Sequence, residues 1–463
     1  MGLDFSKAVG WTRARLSGEL ASRYIGSSLP LGAMIGDSIT KPDYTNSDQV
    51  TPTSASSWNK SSNAIMAWAL ALSGQRVEMP PNTNVWSFPG QTSATILANL
   101  PAFLAQLPRV PGFVVVECGT NDSATNIPAA TTIANWTAIA NYLTSRGVRV
   151  IFIPILPRNS TNFTQARADQ AVLANRWLIQ AAARSGGQIA VAAACLRDWA
   201  LTTSTLFEPV SGLTYDSPAT HPNTLGAYYI GKAVAAILMQ WYPPVDLLPM
   251  TALAWDATNS PNANYLADCM YTSGAAANGP TTGTKPINWT SGMSAHSGLT
   301  AACSLAASSI DGMPMAQIVF GGTYTVSGIS VPSSATDPYA RFQRTISAGD
   351  ARLTAIAAGD TFECLAAFEI DAGNNAIICP QLEWRWDGSS NQCSDMRHAA
   401  DAQGTLPANE AIKGVLRTPP HTFSAAPAGT MQVNLTAFLK GTTGTYSPAA
   451  TIRFGRPVIR KVT

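Results

Sequence analysis

Two patterns of apolar and polar residues divide the chain. Between residues 29 and 241, short unbroken apolar runs alternate with segments whose apolar residues recur at helical spacing. The runs within 29–38, 113–118, 148–157 and 189–195 read as strands buried on both faces. The segments 60–74, 131–147, 163–187 and 223–242 read as helices, the last capped by Asn223. Strands of this kind separated by helices predict a three-layer α/β/α domain with about five parallel strands. From about residue 264 the helical period disappears. Short alternating runs between Gly, Thr, Ser and Pro predict an all-β sandwich or jelly roll over 264–463. Phe362, Cys364, Ala366, Phe368 and Ile370 share one face of such a strand, and Trp384 and Trp386 share a face of another. These two tryptophans either offer platforms for sugar rings or belong to the sandwich core.

Three further segments complete the layout. Residues 1–28 form an apolar and basic lead-in with Phe5, Val9, Leu16, Leu20 and Tyr24 at roughly helical spacing, which fits a helix packed on the next domain or a docking arm. Residues 41–59 read as a long Ser/Thr-rich loop directly after the first strand, in the position of a substrate rim. Its Tyr44 and Trp58 either stack on a sugar or simply pack. Residues 242–263 open on two prolines that end the preceding helix and read as a linker.

Composition narrows the class. Of 463 residues, 46% are hydrophobic and only 12% charged, which excludes a largely disordered chain. A net charge of +2 gives no electrostatic case for nucleic acid. No stretch of about 20 apolar residues predicts a membrane span, and residues 1–16 lack the apolar centre of a signal peptide. The cysteines number seven, without zinc or redox spacing, as expected of small buried residues in a chain folded in a reducing compartment. No Cys/His or acidic cluster predicts a metal, and no glycine pattern predicts a nucleotide, so no cofactor is expected.

Chemistry concentrates in three short segments of the first domain. Gly36-Asp37-Ser38-Ile39-Thr40 ends the first strand, and Gly119-Thr120-Asn121-Asp122 follows the run at 113–118. Both therefore fall at the carboxyl edge of the sheet, where ligands bind in such folds. The third, Asp216 to Asn223, precedes the last helix and contains His221, the one histidine of residues 29–241. A serine hydroxyl needs a base to take its proton before it becomes a useful nucleophile. His221 could serve Ser38 in that way, and an acidic residue nearby could orient the ring.

These segments, in this order, resemble the GDSL-type, or SGNH, hydrolase family. Ser38 matches its serine block and Asn121 its G-x-N-D block. Gly90, within Phe88-Pro89-Gly90-Gln91-Thr92, matches the glycine block by position and context, and His221 matches the last block. The resemblance covers residues 29–241 and implies a flavodoxin-like fold. It further implies catalysis by Ser38, His221 and Asp216, with an oxyanion hole made by the Ser38 and Gly90 N–H groups and the Asn121 amide. One departure stands out. The family usually places an aspartate three residues before the histidine, where this chain has Pro218; Asp216 lies five before. Either a two-residue bulge returns Asp216 to the ring, or the site is a Ser–His dyad; Asp198 is a weaker substitute.

The start of the second domain, with residues 264–271 and 286–289, and its close at Arg453-Phe454-Gly455-Arg456-Pro457-Val458 resemble a jelly-roll carbohydrate-binding module on phage tail proteins. The whole layout resembles phage receptor-binding or tail-fibre proteins. That resemblance implies a virion location, a homotrimer with other virion proteins as partners, and a polysaccharide substrate. The expected activity is a serine esterase removing O-acetyl groups from a bacterial surface polysaccharide. Two alternatives stand beside it: a non-catalytic receptor-binding or structural virion protein with a degenerate hydrolase fold, and a lipase or thioesterase.

Overall fold

The structure, a computed structural model, describes residues 29–44, 57–79, 84–159, 163–200, 202, 207–216, 219–248, 264–266, 269–271, 273–309, 311–327, 337–388, 391–398 and 404–462. The lead-in at 1–28, most of the loop after residue 44 and residues 249–263 of the linker lie outside them, as do the side chains of Tyr44 and Trp58.

In chain order the first strands are β1 (Gly32–Gly36), β2 (Ser57–Ser61), β3 (Val85–Ser87), β4 (Phe113–Glu117), β5 (Arg149–Ile153) and β6 (Ile189–Val191). All but β2 form one parallel sheet in the order β3-β1-β4-β5-β6. Both faces are apolar because successive side chains point to opposite sides. Met34, Phe113, Val115, Ile151 and Ile153 pack in one layer with residues of the helices Ile65–Leu72, Ala194–Trp199 and Thr224–Trp241. Ala33, Ile35, Val114, Val116, Val150 and Phe152 pack in the other, against Ser93–Gln106, Ala129–Thr144 and Gln165–Arg184. The first strand is thus flanked by the second and third strands of the sheet, and the chain winds outward in opposite directions from it. The crevice at such a reversal is the binding position of doubly wound sheets.

The second half is β-rich. One sheet runs in the order Ile412–Arg417, Thr361–Ile370, Ala450–Lys461, Pro314–Gly322, Leu299–Ala307, Thr282–Pro286, Gly274–Ala276. The other contains Gln392–Arg397, Ile377–Trp386, Met431–Leu439, Tyr339–Ile346 and Thr290–Met293, and its first edge is completed by β2, which pairs parallel with Gln392–Arg397. Apolar residues of the two sheets meet in one core: Phe362, Phe368, Ile452 and Phe454 from the first, Phe342, Leu382, Val433 and Leu435 from the second.

Two expectations change here. Residues 41–59 are not one loop: they begin in a helical turn, Lys41–Tyr44, and end in β2, inside the second sheet. Trp384 and Trp386 are not sugar platforms. They are 0% and 4% exposed, 4.9 Å apart, and packed with Phe423 in the sandwich core. Buried to this degree, neither ring can receive a pyranose.

The two halves share their apolar interior. Trp68 and Ala71 of helix Ile65–Leu72 and Tyr228 of helix Thr224–Trp241 belong to the same cluster as the sandwich core. Trp68 donates its indole N–H to the Ser62 carbonyl at 2.8 Å and meets Tyr228 edge-on at 5.3 Å. Polar ties reinforce the seam: Lys60 pairs with the buried Asp395 at 3.2 Å, and Tyr228 donates to Glu410 at 2.9 Å. Among the described residues no helix is long and apolar enough to cross a membrane. A continuous core predicts cooperative unfolding of both halves. Scanning calorimetry should give one transition, and Trp68→Ala, which removes about 3–5 kcal/mol of packing, should shift it as a whole. Two transitions of which only one moves would contradict the shared core.

Candidate active site

β1 carries the nucleophile block to the sheet edge. Gly36 is required there: a Cβ would lie 2.0 Å from Thr40 Oγ1 and 2.5 Å from the Glu117 carbonyl. Ser38 follows on the tight turn, with its carbonyl accepting from Lys41 N–H at 3.2 Å. The histidine comes from the other end of the domain. Asn223 caps the last helix by accepting from Gly226 N–H at 3.0 Å, while its own amide donates to the Gly212 carbonyl at 2.7 Å. Asn223 N–H also donates to the Leu213 carbonyl at 2.9 Å. The cap therefore pins the loop that carries His221.

These elements bring three side chains into line. Ser38 Oγ donates to His221 Nε2 at 2.9 Å, and His221 Nδ1 donates to Asp216 Oδ2 at 2.6 Å. The other Asp216 oxygen accepts from the backbone N–H of Thr220 at 2.9 Å and of His221 at 2.8 Å. Burial pushes the Asp216 carboxyl up, but the bonds from the His221 ring and these N–H groups outweigh it and hold it below the usual carboxylate value. The chain turning back on Asp216 thus makes good the departure in spacing, and the arrangement is a triad in geometry rather than a dyad.

Gly90 and Asn121 stand at the ends of β3 and β4. Gly90 has φ +75°, a conformation that favours glycine. Among the described residues neither the Ser38 nor the Gly90 N–H has a hydrogen-bond acceptor. The Asn121 amide donates to the Gln91 carbonyl at 2.9 Å and to Asp37 Oδ2 at 3.3 Å. Asp122 stitches the two loops together: it accepts from Ser93 N–H at 2.7 Å, Ser93 Oγ at 2.5 Å and Thr132 Oγ1 at 3.1 Å. Among the described residues no group of three His, Cys, Asp or Glu side chains is arranged to hold a metal ion.

Residues 34–228 match the model of the GDSL-like Lipase/Acylhydrolase family. This part of the chain is similar to GDSL-type hydrolases. Among solved structures, a lipase/acylhydrolase from Enterococcus faecalis is 18% identical, with 47% of this chain and 98% of that one covered at a TM-score of 0.34. A GDSL-like lipase from Bacteroides thetaiotaomicron is 16% identical, with 49% and 96% covered at a TM-score of 0.31. No curated protein matches the chain.

The α/β domain holds features that the motifs did not reveal. Tyr215, 43% exposed, stacks beside His221 with ring centroids 5.9 Å apart. Arg158 follows β5; burial pulls its pKa down, opposed by the negative charges of Asp37 and Asp216. Beneath Ser38 lie two buried carboxyls. Asp37 N–H donates to Glu117 Oε2 at 3.2 Å, Thr40 Oγ1 donates to the same oxygen at 3.2 Å, and Asp37 Oδ1 accepts from Ile39 N–H at 3.0 Å. Burial, then the charge of Asp37, push the Glu117 carboxyl well above its ordinary value, and burial raises Asp37 as well. The sequence held one signal for Glu117, an acidic residue ending an otherwise apolar strand.

A raised carboxyl stabilises the fold fully below its unfolded pKa, about 4.3, and that contribution is lost as pH rises through the folded value. Glu117→Gln, neutral at every pH, should therefore lose less melting temperature than the native protein between pH 5 and pH 9. Equal slopes would show that Glu117 is ionised in the fold.

Proposed function

We propose that the protein is a serine esterase that removes small acyl groups, acetyl foremost, from a polysaccharide. The observation that carries the reading is the unbroken hydrogen-bonded line Ser38–His221–Asp216. Ser38 Oγ attacks the ester carbonyl carbon while its proton passes to His221 Nε2. The carbonyl oxygen becomes an oxyanion beside the Ser38 and Gly90 N–H groups and the Asn121 amide, whose longer bond to Asp37 is the one it would share. His221 then protonates the departing alkoxide. Water, deprotonated by His221, attacks the acyl-Ser38 and releases the acid. Asp216 fixes the ring with Nδ1 protonated and stabilises the imidazolium.

Support for a sugar alcohol is of a different kind. The exposed Tyr215 ring offers an apolar face next to the reacting hydroxyl. The attached β-sandwich fits a module that holds a glycan while the hydrolase domain trims it. The sequence likeness to phage tail proteins supports a virion-borne, trimeric form of this enzyme. Intact triad geometry favours catalysis over the non-catalytic reading.

The test is hydrolysis of p-nitrophenyl acetate together with acetate release from O-acetylated polysaccharides. Ser38→Ala and His221→Ala should abolish both. Asn121→Ala should lower kcat by about 10²–10³, and Asp216→Asn by about 10⁴. A loss below about tenfold in either of the last two would remove that residue from the machinery. Tyr215→Ala should raise KM on the polysaccharide and leave p-nitrophenyl acetate hydrolysis unchanged. Activity confined to long-chain esters would replace the sugar reading with a lipase.

A further inference from the structure

The strand that buries Trp384 and Trp386 presents the opposite set of residues on its other face. Gln381, Glu383 and Arg385 alternate with the tryptophans and are polar without exception. Pairing registers extend this face across the sheet. Arg341, Thr436 and Gln381 stand side by side on three neighbouring strands, and Gln343, Asn434, Glu383 and Ser394 form the next row on four. Arg341, Thr436, Gln381, Glu383 and Arg385, with Tyr339 and Phe438 at one end and Arg397 at another, border a cleft of about 130 Å³.

The polar groups in this cleft are not all used by the protein. Glu383 is committed: it pairs with Arg385 and accepts from Asn434 Nδ2 at 2.8 Å. Gln381 accepts from His398 N–H at 3.0 Å, which leaves its amide N–H₂ without an acceptor among the described residues. Thr436 Oγ1 likewise has no partner there, and the Arg341 guanidinium has only the Tyr339 ring, 5.5 Å away. Gln381 and Thr436 are each 5% exposed, so they are deep in the sheet face rather than on a solvated rim. Asn434 Oδ1 and Ser394 Oγ, also buried, lack partners in the adjoining row. Three donors at strand spacing therefore line up over about 10 Å, with a cation at one end and an aromatic ring beside it. Around them are three guanidinium groups and one carboxylate, a positive balance inside a largely neutral domain.

We propose that this cleft binds an acidic saccharide, seating a sugar carboxylate at Arg341 and sugar hydroxyls at Thr436 and Gln381. The inference rests on the polysaccharide reading above and narrows it to uronate-type glycans. A guanidinium holds a carboxylate through paired charge-assisted bonds, and hydroxyls satisfy amide and hydroxyl groups without a charge cost. A neutral chain would leave Arg341 unmatched.

The experiment is isothermal titration of the full chain with oligogalacturonate, oligomannuronate and hyaluronan oligosaccharides, beside malto-oligosaccharides of equal length. At least one uronate series should bind and the neutral series should not. Arg341→Ala should weaken binding at least tenfold, with Arg341→Lys recovering part of the loss. Thr436→Val, which keeps shape and strand preference, should weaken it severalfold while leaving the melting temperature near the native value. Absence of binding by every uronate series overturns the proposal. So does equal binding of the neutral chain, or binding that Arg341→Ala and Thr436→Val leave within twofold. Failure of the esterase reading looks different: no acetate is released from any polysaccharide, while uronate binding persists, unchanged in Ser38→Ala.

Discussion

A buried carboxyl beneath Ser38 is the constraint on which this end of the parallel sheet depends. Asp37 is wholly buried, and a buried polar group is tolerated only when hydrogen bonds replace its water. Its partners come from every loop that matters. Ile39 N–H and the Asn121 amide approach its carboxylate, its N–H reaches Glu117, and its carbonyl accepts from Ser87 Oγ at 2.7 Å. The ends of β1, β3 and β4 are therefore fixed to one another through this residue. Two adjacent buried anions would repel, and burial together with the charge of Asp37 pushes the Glu117 carboxyl well above its ordinary value. The loops that carry Ser38 and Asn121 are set by this cluster and not by loop flexibility.

The second constraint is alternation along the strands. In the parallel sheet it sends Met34 to one layer and Ala33 and Ile35 to the other, so one sheet supports two apolar layers. In the sandwich it sends Trp384 and Trp386 inward and Gln381, Glu383 and Arg385 outward. The same rule explains why an aromatic pair on one strand face was a poor guide to sugar binding. Aromatic rings are the largest apolar payload available to a core, and a core that joins two sheets and two helices takes them first.

Much of this was legible in the sequence. The unbroken run at 113–116 needs burial on both sides, and that alone implies a covered parallel sheet. Ser38, Asn121 and His221 stood out because strand ends and a helix start are recognisable, and ligand sites of such sheets gather at the carboxyl ends of the strands. The unread parts have a common physical cause: they depend on partners distant in sequence. β2 looks like loop because four of its five residues, Ser57 to Ser61, are polar, and only the edge offered by Gln392–Arg397 makes it a strand. Tyr215 carries no motif, and its place beside His221 follows from the closure of the loop by Asn223. A domain boundary after residue 241 is natural in composition, yet Trp68 and Tyr228 pack across it because helix faces not used by the parallel sheet must be buried elsewhere.

The displaced acid shows how spacing and geometry separate. A triad requires that a carboxylate oxygen reach Nδ1 while the ring points at the serine; it does not require a fixed number of residues between them. Asp216 satisfies this by using both of its oxygens. One holds the ring, and the other holds the backbone N–H groups of Thr220 and His221, so the carboxylate fixes the loop that supplies the histidine as well as the histidine itself. The backbone N–H groups and the ring converge on one side chain, and those same bonds hold its carboxyl below the usual carboxylate value. Orientation of the base and ionisation of its partner thus have a single structural origin.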